Sequence, residues 1–118
     1  PGLTRGTTGE VQLIGSHLPT KKTKMSIPEN AVIGSMIPVP IEGEVLGSPS
    51  VVVGEFQETS VQAGKGKLTL PGTANGILEK ENASDVITFT AKKGEQWVIE
   101  THARRIGSPL DTSIEVLD

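Results

Sequence analysis

Glycine and proline punctuate this chain so densely that regular structure can run only a few residues at a time. Fourteen Gly and eight Pro lie among many Val, Ile and Thr. Glycine supplies the positive φ of tight turns, and proline cannot donate to a sheet ladder. Short strands joined by turns follow, and the expected class is all-β. No segment shows the complete apolar stripe of an amphipathic helix.

The alternation of apolar and polar residues places the strands. Glu10-Val11-Gln12-Leu13-Ile14 reads as a strand closed by Gly15-Ser16. Residues 20–24 are polar and read as a loop. Ile33, Ile37, Val39 and Ile41 can share one face of an extended segment whose prolines require a sheet edge. Residues 50–53 form a short apolar run suited to a buried strand. Residues 57–67 are polar and glycine-bearing, with the character of a linker. Beyond them, Lys67-Leu68-Thr69-Leu70 is a brief strand, Pro71-Gly72 and Asn75-Gly76 are turn signals, and Ile77-Leu78 resumes extended structure. Residues 79–84 form a polar tip. Residues 86–90 alternate so that Phe89 points inward; Lys92-Lys93-Gly94 turns the chain, and Trp97, Ile99 and Thr101 share a buried face. Ser108-Pro109 marks another turn, and residues 114–117 begin a last strand.

Charge and length exclude several functions. The net charge of −3 and a pI near 5.4 offer no basic field for a nucleic acid backbone. The longest apolar stretch, residues 31–41, is too short to span a bilayer. Cysteine is absent, which removes disulfides and thiolate chemistry but does not fix a compartment. No charged-then-apolar export signal is present. Gly64-Lys65-Gly66-Lys67 lacks the spacing of a phosphate-binding loop, and no helix follows it. Gly-Ser recurs at residues 15, 34, 47 and 107 as repeated turn chemistry with different flanks.

Catalytic and binding candidates are few. His17 and His102 are the two histidines, and neither accompanies a nucleophile motif. Asp85, Asp111 and Asp118 lie near expected strand ends, where loop carboxylates of β-modules can hold calcium; the plainer reading is that Asp85 and Asp111 cap turns. Trp97 is a candidate stacking platform, although a strand position favours its burial. Arg104 and Arg105 can offer a guanidinium fork to a carboxylate.

In the C-terminal half, Asn75-Gly76-Ile77, Asp85-Val86-Ile87-Thr88-Phe89, Lys93-Gly94-Glu95 and the run from Ile99 through Ala103-Arg104-Arg105-Ile106-Gly107-Ser108-Pro109-Leu110-Asp111 resemble the bacterial pre-peptidase C-terminal domain. The phrasing is similar to versions in large exported proteins of planctomycete-type bacteria. In the N-terminal half, Arg5-Gly6-Thr7-Thr8, Glu10-Val11-Gln12-Leu13, Gly15-Ser16-His17-Leu18 and residues 50–55 resemble an immunoglobulin-like module of the TIG type. The resemblance implies an immunoglobulin-like module at 1–56, a linker at 57–67, and at 68–118 the first part of a jelly-roll-like β-sandwich. The aspartate-rich turn and final strand of that second domain have no counterpart here, and Gln57-Glu58-Thr59-Ser60 stands where relatives carry an acidic, Asn-containing segment. A truncated piece of a longer protein is the expectation.

What the resemblance implies is a non-catalytic accessory module, extracellular, periplasmic or at the cell surface, that assists folding, secretion or attachment. Its expected partners are neighbouring domains of the same polypeptide and extracellular protein or polysaccharide, with no nucleic acid and no membrane insertion. No cofactor is required, with calcium the one candidate. The alternatives are a piece of a secreted peptidase that contributes to catalysis, and a calcium-stabilised adhesion module.

Overall fold

The computed structural model describes residues 2–16, 18, 21–43 and 46–118. It is an all-β arrangement of four small sheets; the helical element among the described residues is one 3₁₀ turn, Arg104–Ile106. No described helix is long and apolar enough to cross a membrane.

Five strands build the first half: β1 (Gly2–Thr4), β2 (Thr8–Gln12), β3 (Lys22–Ser26), β4 (Met36–Pro38) and β5 (Ser50–Gly54). β5 is central, flanked by β1 in parallel and β4 antiparallel, while β2 and β3 form a separate antiparallel pair. The period of two along β5 puts Val51 and Val53 on one face, and they are 2% and 1% exposed. Met25 and Ile27 from the β3 side and Val39 after β4 complete the core, with Leu3, Val11, Leu13, Ala31, Ile37 and Ile41 packed around it. Every described buried residue lies between positions 25 and 53.

Gly6 makes the passage between the two sheets. Its φ of +74° turns the chain directly after β1, a conformation L side chains rarely adopt. Its N–H donates to Ile27 O at 3.0 Å while Ile27 N donates to Thr7 O at 2.9 Å, which ties the turn to the end of β3. The prolines sit where ladder physics allows: β4, which ends at Pro38, is an edge strand.

Two expectations for this half are corrected. Part of the polar segment expected as a loop is β3, because Lys22, Lys24 and Ser26 face solvent while Met25 alternates inward. Ile33 does not share the core face of Val39; it lies 39% exposed in a turn closed by Ser35 N donating to Val32 O at 3.1 Å.

The second half holds β6 (Gln57–Ser60), β7 (Lys65–Leu68), β8 (Gly72–Asn75) and β9 (Val86–Phe89), paired in parallel as β6 with β8 and β7 with β9. The segment expected as a linker is therefore largely strand. Gln62 and Lys65 exchange two backbone hydrogen bonds of 3.0 Å around Ala63 and Gly64, whose φ values are +48° and +74°. Both central residues are left-handed, the signature of a hairpin turn matched to strand twist. The turn signals around Pro71 and Asn75 enclose β8 rather than two turns, and Ile77 beyond it is 75% exposed and outside any strand.

Burial fails in this half where alternation promised it. Phe89, expected to point inward, is 37% exposed. The expected strand through Trp97, Ile99 and Thr101 has no pairing partner among the described residues, and Trp97 and Ile99 remain 42% and 48% exposed. Residues 114–117 likewise form no described strand. No described residue of this half is buried, so its two small sheets enclose no core against which an apolar face could close.

Candidate binding surface

The halves meet where β5 passes into β6. Thr4 Oγ1 donates to Phe56 O at 2.8 Å between these strands, and Arg5 N donates to Gly54 O at 2.9 Å at the end of the β1–β5 ladder. Glu58 on β6 reaches across: one carboxylate oxygen accepts from Asn75 Nδ2, and the other lies over Gly2 and Gly54. A Cβ on Gly54 would stand 2.7 Å from that oxygen, which belongs to the end of a flexible side chain that can move aside. Sequence reasoning assigned none of this to Glu58, because its partners lie on β1, β5 and β8 and only pairing brings them together.

Around the turn at residues 92–95, Glu95 is the organising group. Its Oε2 accepts from Lys92 N at 2.9 Å and from Trp97 Nε1 at 3.2 Å, while Glu95 N donates to Lys92 O at 3.1 Å. Gly94, with φ of +91°, makes the turn that brings this carboxylate back onto its own backbone. The indole is held by its N–H and keeps much of its ring in solvent, a geometry that suits an aromatic platform.

Arg105 and Asp111, two candidates from sequence, line one shallow depression of ≈ 150 Å³ together with Thr101, Ala103, Leu110 and Thr112. Thr112 Oγ1 donates to Thr101 Oγ1 at 3.0 Å and ties its two sides together. Glu100 Oε2 lies 3.7 Å from Arg105 Nη1 and 3.2 Å from His102 Nε2. These groups are exposed, so their mutual attraction is screened by water and small. His102 thus belongs to an exposed charged row. Trp97 does not line this depression. His17 and the side chain of Arg104 lie outside the described residues.

The carboxylates proposed for calcium are separated in role. Asp85 sits half-buried before β9 against Gly76, with its Oδ1 facing Gly64. Asp111 belongs to the depression, and Asp118 is exposed. Among the described residues no group of three or more His, Asp or Glu side chains is arranged to hold a metal ion. A second, more open groove of ≈ 500 Å³ runs over β7 and β9, lined by Lys65, Gly66, Lys67, Val86 and Thr88.

Fold and surface define an all-β protein whose polar surface features lie mainly in the half without a buried core. Comparison with protein-family models, with curated proteins and with solved structures found no match.

Proposed function

We propose that the chain is a non-catalytic accessory or spacer module of a large exported bacterial protein, holding neighbouring segments in a fixed relation and assisting attachment to protein or polysaccharide. In this reading the first half is an immunoglobulin-like module and the second the front of a jelly-roll-like sandwich. The observation that carries it is that β6 follows β5 after two residues, pairs with β8 and lies beside β1, so that strands rather than a free linker connect the halves. A spacer needs such a joint, because orientation is lost wherever a free linker intervenes. The resemblance of residues 68–118 to the pre-peptidase C-terminal domain supports the exported setting. Trp97 and the Arg105–Asp111 depression supply the attachment surface.

The chain has no cysteine, so spin labels can be placed at will. Lys24→Cys and Lys67→Cys put one exposed label on each half. Diluted into unlabelled protein, the doubly labelled chain is expected to give one narrow distance distribution, which Glu58→Ala broadens. A broad distribution in the parent chain would overturn the spacer reading. Casein hydrolysis by the isolated chain, abolished by His102→Ala, would replace it with a peptidase role.

A further inference from the structure

β9 offers an open sheet edge. In its parallel ladder Val86 lies opposite Lys65 and Thr88 opposite Lys67, and Val86 N donates to Gly64 O at 2.8 Å. Alternate residues of a parallel strand face the same neighbour, so Val86 and Thr88 direct their backbone groups to β7 while Ile87 and Phe89 direct theirs away. Among the described residues no strand takes the outward groups. Residues 86–90, Val-Ile-Thr-Phe-Thr, contain neither charge nor proline, the usual guards of an exposed edge. Val86, Ile87 and Phe89 are 60%, 38% and 37% exposed.

We propose that this edge binds a second copy of the chain, with two β9 strands pairing antiparallel about a two-fold axis at Thr88. This register sets Ile87 opposite Phe89 of the second copy, and Phe89 opposite its Ile87. Both are the residues with outward N–H and C=O groups, so each pair exchanges two hydrogen bonds. Each also joins an aromatic to a β-branched side chain, a favourable cross-strand match. Thr88 faces itself between them. The flanks carry opposite charge, Asp85 before the strand and Lys92-Lys93 after it. Antiparallel pairing brings acidic beside basic ends, whereas parallel pairing would stack like on like.

Lys65 and Lys67 do not oppose the pairing. They stand on β7, so the two lysine rows are three strand spacings apart, about 14 Å, beyond the screening length of about 8 Å at physiological salt. Area points the same way. The chain exposes 9642 Å², whereas a compact domain of its mass exposes about 6,100 Å². A standard interface needs only about 800 Å² from each partner.

The register can be tested by cysteine placement. Thr88→Cys would face its own copy across a non-hydrogen-bonded pair, with Cα atoms about 4.5 Å apart, inside the range a disulfide bridges. Thr90→Cys faces Val86 of the second copy and lies too far from its counterpart. Sedimentation should show the parent chain dimerising, and mild oxidation should link Thr88→Cys into a reducible dimer with roughly tenfold more yield than Thr90→Cys. Ile87→Pro removes an outward N–H without touching a β7 bond and should give monomer, with its β-sheet circular dichroism retained. A parent chain that stays monomeric up to about 1 mM overturns the proposal. Equal linking of the two cysteine variants overturns the register.

Discussion

β5 and β9 are the same kind of strand with opposite fates. Ser50–Gly54 and Val86–Phe89 both carry apolar residues at period two, yet Val51 and Val53 are almost wholly buried while Ile87 and Phe89 are each more than a third exposed. The difference lies outside the strands. β5 is central in its sheet and packs with Met25 and Ile27 in the buried core; β9 is an edge strand, and none of its residues belongs to that core. Alternation assigns a side chain to a face, and only a second layer takes that face out of water. The uneven burial also explains a radius of gyration of 15.6 Å, where a compact chain of this length has about 13.5 Å.

The sharpest way to break this comparison is to remove one apolar side chain from each half. Ile27→Ala should cost about 2–5 kcal/mol, as a cavity in a closed core does. Phe89→Ala, measured at concentrations too low for pairing, should cost less than half as much. Equal losses in chemical denaturation would mean that the second half is covered in solution. Next in size is Ala63, held at φ of +48° in the hairpin turn before β7. Ala63→Asn should raise stability by about 1 kcal/mol, because Asn tolerates the left-handed region that Ala resists. Loss of stability would show that another turn is preferred.

A smaller effect belongs to the first half. Lys22 Nζ donates to Glu10 Oε1 at 2.8 Å across β2 and β3. This hydrogen bond, with the attraction of the two charges, holds the Glu10 carboxyl below its ordinary range and lifts the Lys22 ammonium above its own. The Glu10 contribution is present above the unfolded carboxyl pKa and fades as pH falls through the lowered folded value. The Lys22 contribution is full below the unfolded ammonium pKa and fades as pH rises through the raised folded value. Glu10→Gln should therefore melt slightly lower at neutral pH and converge with the parent in acid; because both groups are exposed, the difference should be small. Calcium should have the least effect. With Asp85, Asp111 and Asp118 in separate surroundings, the melting midpoint should be the same in calcium and in chelator, and a rise with calcium would favour the adhesion-module reading.

The candidate surface was legible in part. Trp97, Arg105 and Asp111 stood out as residue types, but Glu95 and Glu58 did not, although Glu95 holds the indole and Glu58 holds Asn75. Glu95 follows Lys93-Gly94 closely enough that turn chemistry could have indicated it. Glu58 lies 17 residues from Asn75, and a polar residue in a polar stretch carries no local sign of such a partner. The same blindness made residues 57–67 look like a linker.

Sequence alone determined that this chain would be all-β, that prolines would keep β4 at an edge, and that residues 50–53 would be a buried strand. These follow from local rules: which φ a residue tolerates, which N–H it lacks, and which side of a strand it occupies. Tertiary structure alone decided that β6 pairs with β8 and β7 with β9, that Glu58 meets Asn75, and that Phe89 stays 37% exposed. Pairing and burial depend on what lies across space, and two strands of like pattern carry no record of which will be covered.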